Sequence, residues 1–140
     1  MLIYFSHPVF TFNTKTERKC KGIITEYLEP KDIIDPSDFG MKHDRKSELE
    51  KADAIVGMAV SYCLTYAVWK EMKICKETDA KLYTFMVENK ENIGPLVKGV
   101  PENVKKLSKA ESKKFSHEIT KRDYKDGFMT MLVGSHRSRF

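Results

Sequence analysis

The chain has 140 residues, 41% of them hydrophobic and 32% charged, and a net charge of +5. That length suits one domain with a real core, and the balance excludes a disordered chain. The lysines and arginines of the last third alternate with Glu102, Glu111, Glu118, Asp123 and Asp126, a mixed-charge surface rather than the one-sign stripe that a nucleic-acid polymer would need.

In chain order, Leu2-Ile-Tyr-Phe-Ser6 is an apolar run broken by His7-Pro8 and predicts a buried first strand followed by a loop. It lacks the basic n-region of a signal peptide, and no apolar run approaches the roughly 20 residues that span a bilayer, so a cytoplasmic protein that does not enter membranes is expected. From Thr14 to Leu28 the stripe Cys20, Ile23, Ile24, Tyr27 and Leu28 predicts an amphipathic helix, with Thr14 and Glu17 spaced to cap it. Asp32 to Asp35 is a second short strand stopped by Pro36, Ser37 to His43 has loop chemistry, and Asp44 to Lys51 is a polar helix.

Ala52 to Val60 is a continuous apolar run after Asp53, as expected of a central parallel strand. Leu64, Val68, Met72 and Cys75 then recur at helical spacing and make one buried stripe. Lys81 to Val87 is a fourth strand, Asn89 to Pro101 is loop-like, and Ser108 to Lys121 is a polar helix with Ser108 and Glu111 placed as a capping box. Gly127 to Val133 is apolar again and is expected to dock on the sheet or on a second subunit. Alternating strands and helices predict a single α/β domain over residues 1–140, a parallel sheet of four or five strands with helices on both faces, Rossmann-like or flavodoxin-like. Residues 101–140 form a C-terminal extension of it.

Three cysteines without a C-x-x-C pair and four scattered histidines indicate neither a disulfide framework nor a metal site. No P-loop and no G-x-G-x-x-G is present, so no cofactor is expected. What remains is a set of carboxylates and aromatics near strand ends: Tyr4, Phe5, Phe10, Asp44 and Glu71. Glu71 borders the Leu64–Cys75 stripe, near a strand's C-terminal end, where open α/β sheets gather ligand-binding groups. The plain alternatives are a solvated Glu71 paired with Lys70 or Lys73, Tyr4 and Phe5 as core residues, and Phe10 as a loop anchor. His7 is then a satisfied loop histidine, and Asp44 a helix-start acid favoured by the dipole.

Ile3-Tyr-Phe-Ser-His-Pro-Val-Phe10, Asp35-Pro36, Ala52-Asp-Ala-Ile-Val56 and Val68-Trp-Lys-Glu-Met72 resemble, in order and spacing, the nucleoside 2-deoxyribosyltransferase family. Ile93-Gly-Pro-Leu-Val-Lys-Gly99 is similar to a stretch of the related 2'-deoxynucleoside 5'-phosphate N-hydrolases. The resemblance covers about residues 2–100. It departs from the family at Ala67 and Trp69, which stand where glycines precede the catalytic Glu, and at Asp44, one residue too far from Asp53.

The resemblance implies N-glycosidic bond cleavage or 2-deoxyribosyl transfer on a small nucleoside or nucleotide, by a homodimer or larger homo-oligomer. It makes Glu71 the nucleophile, Asp44 the acid for the departing base and Tyr4 the group that orients Glu71. Phe5, Ser6, His7 and Phe10 then surround the base and sugar, and Gly94 and Leu96 stand at the phosphate-binding stretch. A non-catalytic nucleotide-binding or sensor module on the same fold is the alternative. A structural protein assembling through Phe128–Val133 is a third reading.

Overall fold

The first strand, β1 (Leu2–Ser6), lies between β2 (Asp32–Ile34) and β3 (Ala54–Val60), parallel to both, and β3 continues parallel to β5 (Lys81–Val87). This computed structural model describes residues 1–39 and 45–123. Beyond β5 the sheet turns antiparallel through β6 (Ile93–Lys98), and beyond β3 it carries the short antiparallel β4 (Cys63–Leu64) with β7 (Lys105–Lys106) alongside. The expected all-parallel sheet is therefore a mixed, mostly parallel one. The segment read as loop between Asn89 and Pro101 supplies β6, a strand whose Gly94-Pro95 start hid its pairing. Among the described residues no helix is long and apolar enough to cross a membrane.

Alternation along β1 and β3 sends side chains to two cores. Ile3, Phe5, Val56 and Met58 pack against Cys20 and Ile24 of α1 (Lys15–Leu28) and against Phe115 and Ile119 of α4 (Lys109–Asp123). Tyr4, Ile55 and Ala59 face Leu49 of α2 (Arg45–Lys51) and Val68, Met72 and Cys75 of α3 (Tyr66–Glu77). Helices thus cover both faces. Leu64 is fully buried but lies in β4, one step before the helix its stripe predicted, and Tyr27 is 71% exposed instead of joining the α1 stripe.

The helix starts follow the sequence. Thr14 Oγ1 accepts from the Glu17 amide at 3.3 Å, and Ser108 and Glu111 exchange a reciprocal capping box, with bonds of 3.0 and 3.2 Å. A two-residue turn joins β3 to β4 with Ser61 and Tyr62 both left-handed, at φ 49° and 62°, the geometry a tight hairpin requires. Ser61 is held there by its amide on Val87 O at 2.8 Å and its hydroxyl on Glu88 O at 2.9 Å.

One close approach lies between α3 and the sheet. A Cβ at Gly57 would stand 2.3 Å from Met72 Sδ, so glycine leaves the room that the buried Met72 side chain fills between α3 and β3. Gly57 is the register partner of Ser6, and Met72 follows Glu71.

Candidate active site

Tyr4 and Ser6 are two apart on β1 and so share the face that meets α3. Both converge on Glu71. The Tyr4 hydroxyl donates to Glu71 Oε2 at 2.8 Å, and the Ser6 hydroxyl donates to Oε1 at 2.6 Å. Arg45 Nη1 stands 3.9 Å from Oε2. Burial, and then the adjacent Glu71 carboxylate, push the Tyr4 phenol well above its usual range, so it stays a donor. The same two causes push the Cys75 thiol up to about 12, which keeps it a neutral core group. Glu71 itself is only 9% exposed and is not the solvated partner of Lys70 or Lys73.

The carboxylate opens on a cleft of about 300 Å³. One wall is the β1–α1 loop with His7, Pro8 and Val9, another is the first turn of α3, and a third is α4, through Lys109, Ser112, Lys113 and Ser116. The α3 start is tied to α4 where the Tyr66 amide donates to Ser112 Oγ at 2.6 Å. With Arg45, Lys109 and Lys113 against Glu71, the lining is net positive, and the helix start adds its partial positive charge.

The opposite face of the β1 end carries a second polar cluster. His7 Nε2 meets Asp35 Oδ1 at 2.8 Å, and His7 Nδ1 meets Thr11 Oγ1 at 2.7 Å. The Thr11 hydroxyl donates to Pro8 O at 2.6 Å. Lys21 Nζ contacts Asp35 Oδ2 at 2.8 Å. Glu17 completes the group, accepting from the Asn13 amide and the Ser37 hydroxyl. Burial and the neighbouring Asp35 raise the Glu17 carboxyl to about 7. Asp35 resists the upward pull of burial, because its bonds with His7, Glu17 and Lys21 hold it far below the carboxylate range.

Ligand atoms of His7, Glu17 and Asp35 lie within 4.8 Å of one another, a set that a divalent cation would accept by donor type. Lys21 Nζ pairs in charge with the Asp35 oxygen that His7 leaves, although that buried oxygen accepts no hydrogen bond among the described residues. The cluster acts as an ion-paired brace for the β1–α1 loop. Of its members, sequence reasoning reached only His7. The Glu17–Lys21 spacing of one helical turn was the available signal, and nothing local tied it to Asp35.

Of the residues predicted for the site, Tyr4, Ser6 and Glu71 come together, and His7 lines the cleft with both ring nitrogens engaged elsewhere. Phe5 is fully buried and stacks on His7 at 4.4 Å, while Phe10 packs edge-on against Phe115 at 6.3 Å. Both belong to the core on the α1 side of the sheet instead of the cleft lining. Gly94 lines a separate cavity with Tyr62 and Glu88, and Leu96 packs on the α1-side core, so neither is brought to Glu71. Asp44 and Gly127–Val133 lie outside the described residues. Trp69 sits beneath Lys106 Nζ, 4.6 Å from its ring centroid, and is not among the cleft walls, whereas Ala67 is. Arg45 was missed because its partner Glu71 is remote in sequence. Compared with protein-family models, characterised proteins and solved structures, the chain gave no match.

Proposed function

We propose that the chain breaks, or transfers across, the N-glycosidic bond of a nucleoside or nucleotide, with Glu71 as carboxylate nucleophile. The observation that carries this reading is the doubly held Glu71: a carboxylate fixed by Tyr4 and Ser6 at the C-terminal end of β1, facing a cleft. Two donors aim it without neutralising it, which is what attack on an anomeric carbon asks of a nucleophile. Glu71 takes the sugar's C1′, the base departs, and water or a second base resolves the glycosyl-enzyme. The net positive lining favours a substrate bearing a phosphate.

The resemblance to nucleoside 2-deoxyribosyltransferases supports the same assignment, and with it a Rossmann-like or flavodoxin-like reading of the parallel order β2-β1-β3-β5. It also supports a homo-oligomer acting in the cytoplasm. The alternative, a nucleotide-binding module without turnover, is favoured by one observation. Phe5 and Phe10 are withdrawn into the core and leave the base no aromatic wall on that side.

Incubation with a panel of deoxynucleosides and their 5′-monophosphates, measuring released base, separates the two. The enzyme reading expects release from at least one substrate and a loss of about 1,000-fold or more in Glu71→Ala, in line with removing a nucleophile. Wild-type turnover in Glu71→Ala would refute the nucleophile role. Binding without any release would establish the module.

A further inference from the structure

Arg45 stands beside the reacting carboxylate with donors to spare. Its Nη1 is 3.9 Å from Glu71 Oε2, close enough for charge attraction but too far for a hydrogen bond. Its Nη2 is buried and meets no hydrogen-bond acceptor among the described residues. A buried donor left unmade is unfavourable, and Arg45 lines the cleft, where a ligand can bring its guanidinium an acceptor. The neighbouring groups are committed. Tyr4 and Ser6 donate to Glu71, and both His7 nitrogens are taken by Thr11 and Asp35. None of the three has a proton free for a leaving group.

We propose that Arg45 is a catalytic residue that receives the departing base as an anion. The assignment rests on the N-glycosidic reading above. A Glu71 oxygen forms its bond to C1′ as the C1′–N bond breaks, and the electron pair of that bond passes onto the base. A guanidinium has five N–H donors, no acceptor, and does not release a proton; it therefore stabilises the base by hydrogen bonds instead of protonating it. The base takes its proton from water once released. The substrates this suits carry a carbonyl oxygen conjugated to the leaving nitrogen, such as 6-oxopurines, whose adjacent O6 and N7 match a guanidinium fork. Adenine offers an amino donor at the same edge and is the poorer substrate.

The test compares wild type with Arg45→Ala on deoxynucleotides of hypoxanthine and adenine and on 4-nitrophenyl 2-deoxyriboside, whose leaving group departs as a stable anion unaided. The loss expected in kcat/KM is about 100- to 1,000-fold for hypoxanthine, the scale of one removed charge-stabilising donor, and less than about tenfold for the nitrophenyl substrate. Added guanidinium ion restores part of the hypoxanthine rate. Arg45→Gln, which keeps length without charge, gives the same contrast if the Ala variant does not fold. An equal loss on all substrates, or none on hypoxanthine, overturns the role of Arg45 while leaving the N-glycosidic reading intact. A wild-type protein that releases neither base nor nitrophenol overturns both.

Discussion

Removing the Tyr4 hydroxyl probes the polar centre of the molecule whether or not it turns over. Tyr4 is 1% exposed and its oxygen lies 2.8 Å from Glu71 Oε2. A hydrogen bond to an ionised carboxylate contributes about 1.5–3 kcal/mol, and the mostly buried Glu71 has little water to take its place. Tyr4→Phe should therefore cost about 1.5–2.5 kcal/mol in urea unfolding at neutral pH. Glu71→Leu should cost a similar amount, because it strands the phenol and the Ser6 hydroxyl together. In the double variant the phenol and carboxylate are both gone, and paired apolar replacement is close to neutral for that pair. The cycle should return a coupling of about 2–3 kcal/mol. A coupling below about 0.5 kcal/mol would mean that the bond does not hold Glu71, and the case for an aimed carboxylate would go with it.

Gly57→Ala should destabilise by about 1–3 kcal/mol, since the buried Met72 side chain must shift to admit the new methyl; unchanged urea stability would refute the close-approach argument. The Glu17 carboxyl is raised to about 7 in the folded chain from 4.5, so the native state keeps a proton that the unfolded chain has lost. Raising the pH from about 5 to 8 should then lower stability, by about 1–2 kcal/mol once solvent screening is allowed for. Glu17→Gln should flatten that slope, and a slope equal to wild type in the variant would exclude Glu17 as its source.

What periodicity encodes was legible. The Val68–Met72–Cys75 stripe, the strand Lys81–Val87 and the Ser108–Glu111 capping box stand where local spacing put them. The polar site was legible only in part. Tyr4 and Glu71 are singled out by place, at a strand and at the edge of a helical stripe, but the contacts that make a site span 67 residues for Tyr4–Glu71 and 28 for His7–Asp35. No local pattern reports such distances. The short β4 and β7 and the Pro-containing β6 escaped because each is recruited by a neighbour rather than by its own apolar run. The aromatics Phe5 and Phe10 fell the other way, their apolar area satisfied by α1 and α4.

A parallel strand has no hairpin turn to count off its pairing, and both faces of β1 are buried, so hydrophobicity scarcely distinguishes one alignment from the next. Its polar end does. Ser6 turns to Glu71 and His7 to Asp35, on opposite sides of a single peptide. A slip by one residue would push the Phe5 ring at a carboxylate and strand Asp35 without its imidazole, penalising the wrong alignment on both faces at once. The two clusters work as a key cut on both edges: the groups that shape the cleft also specify which of several nearly equal sheets the chain can build.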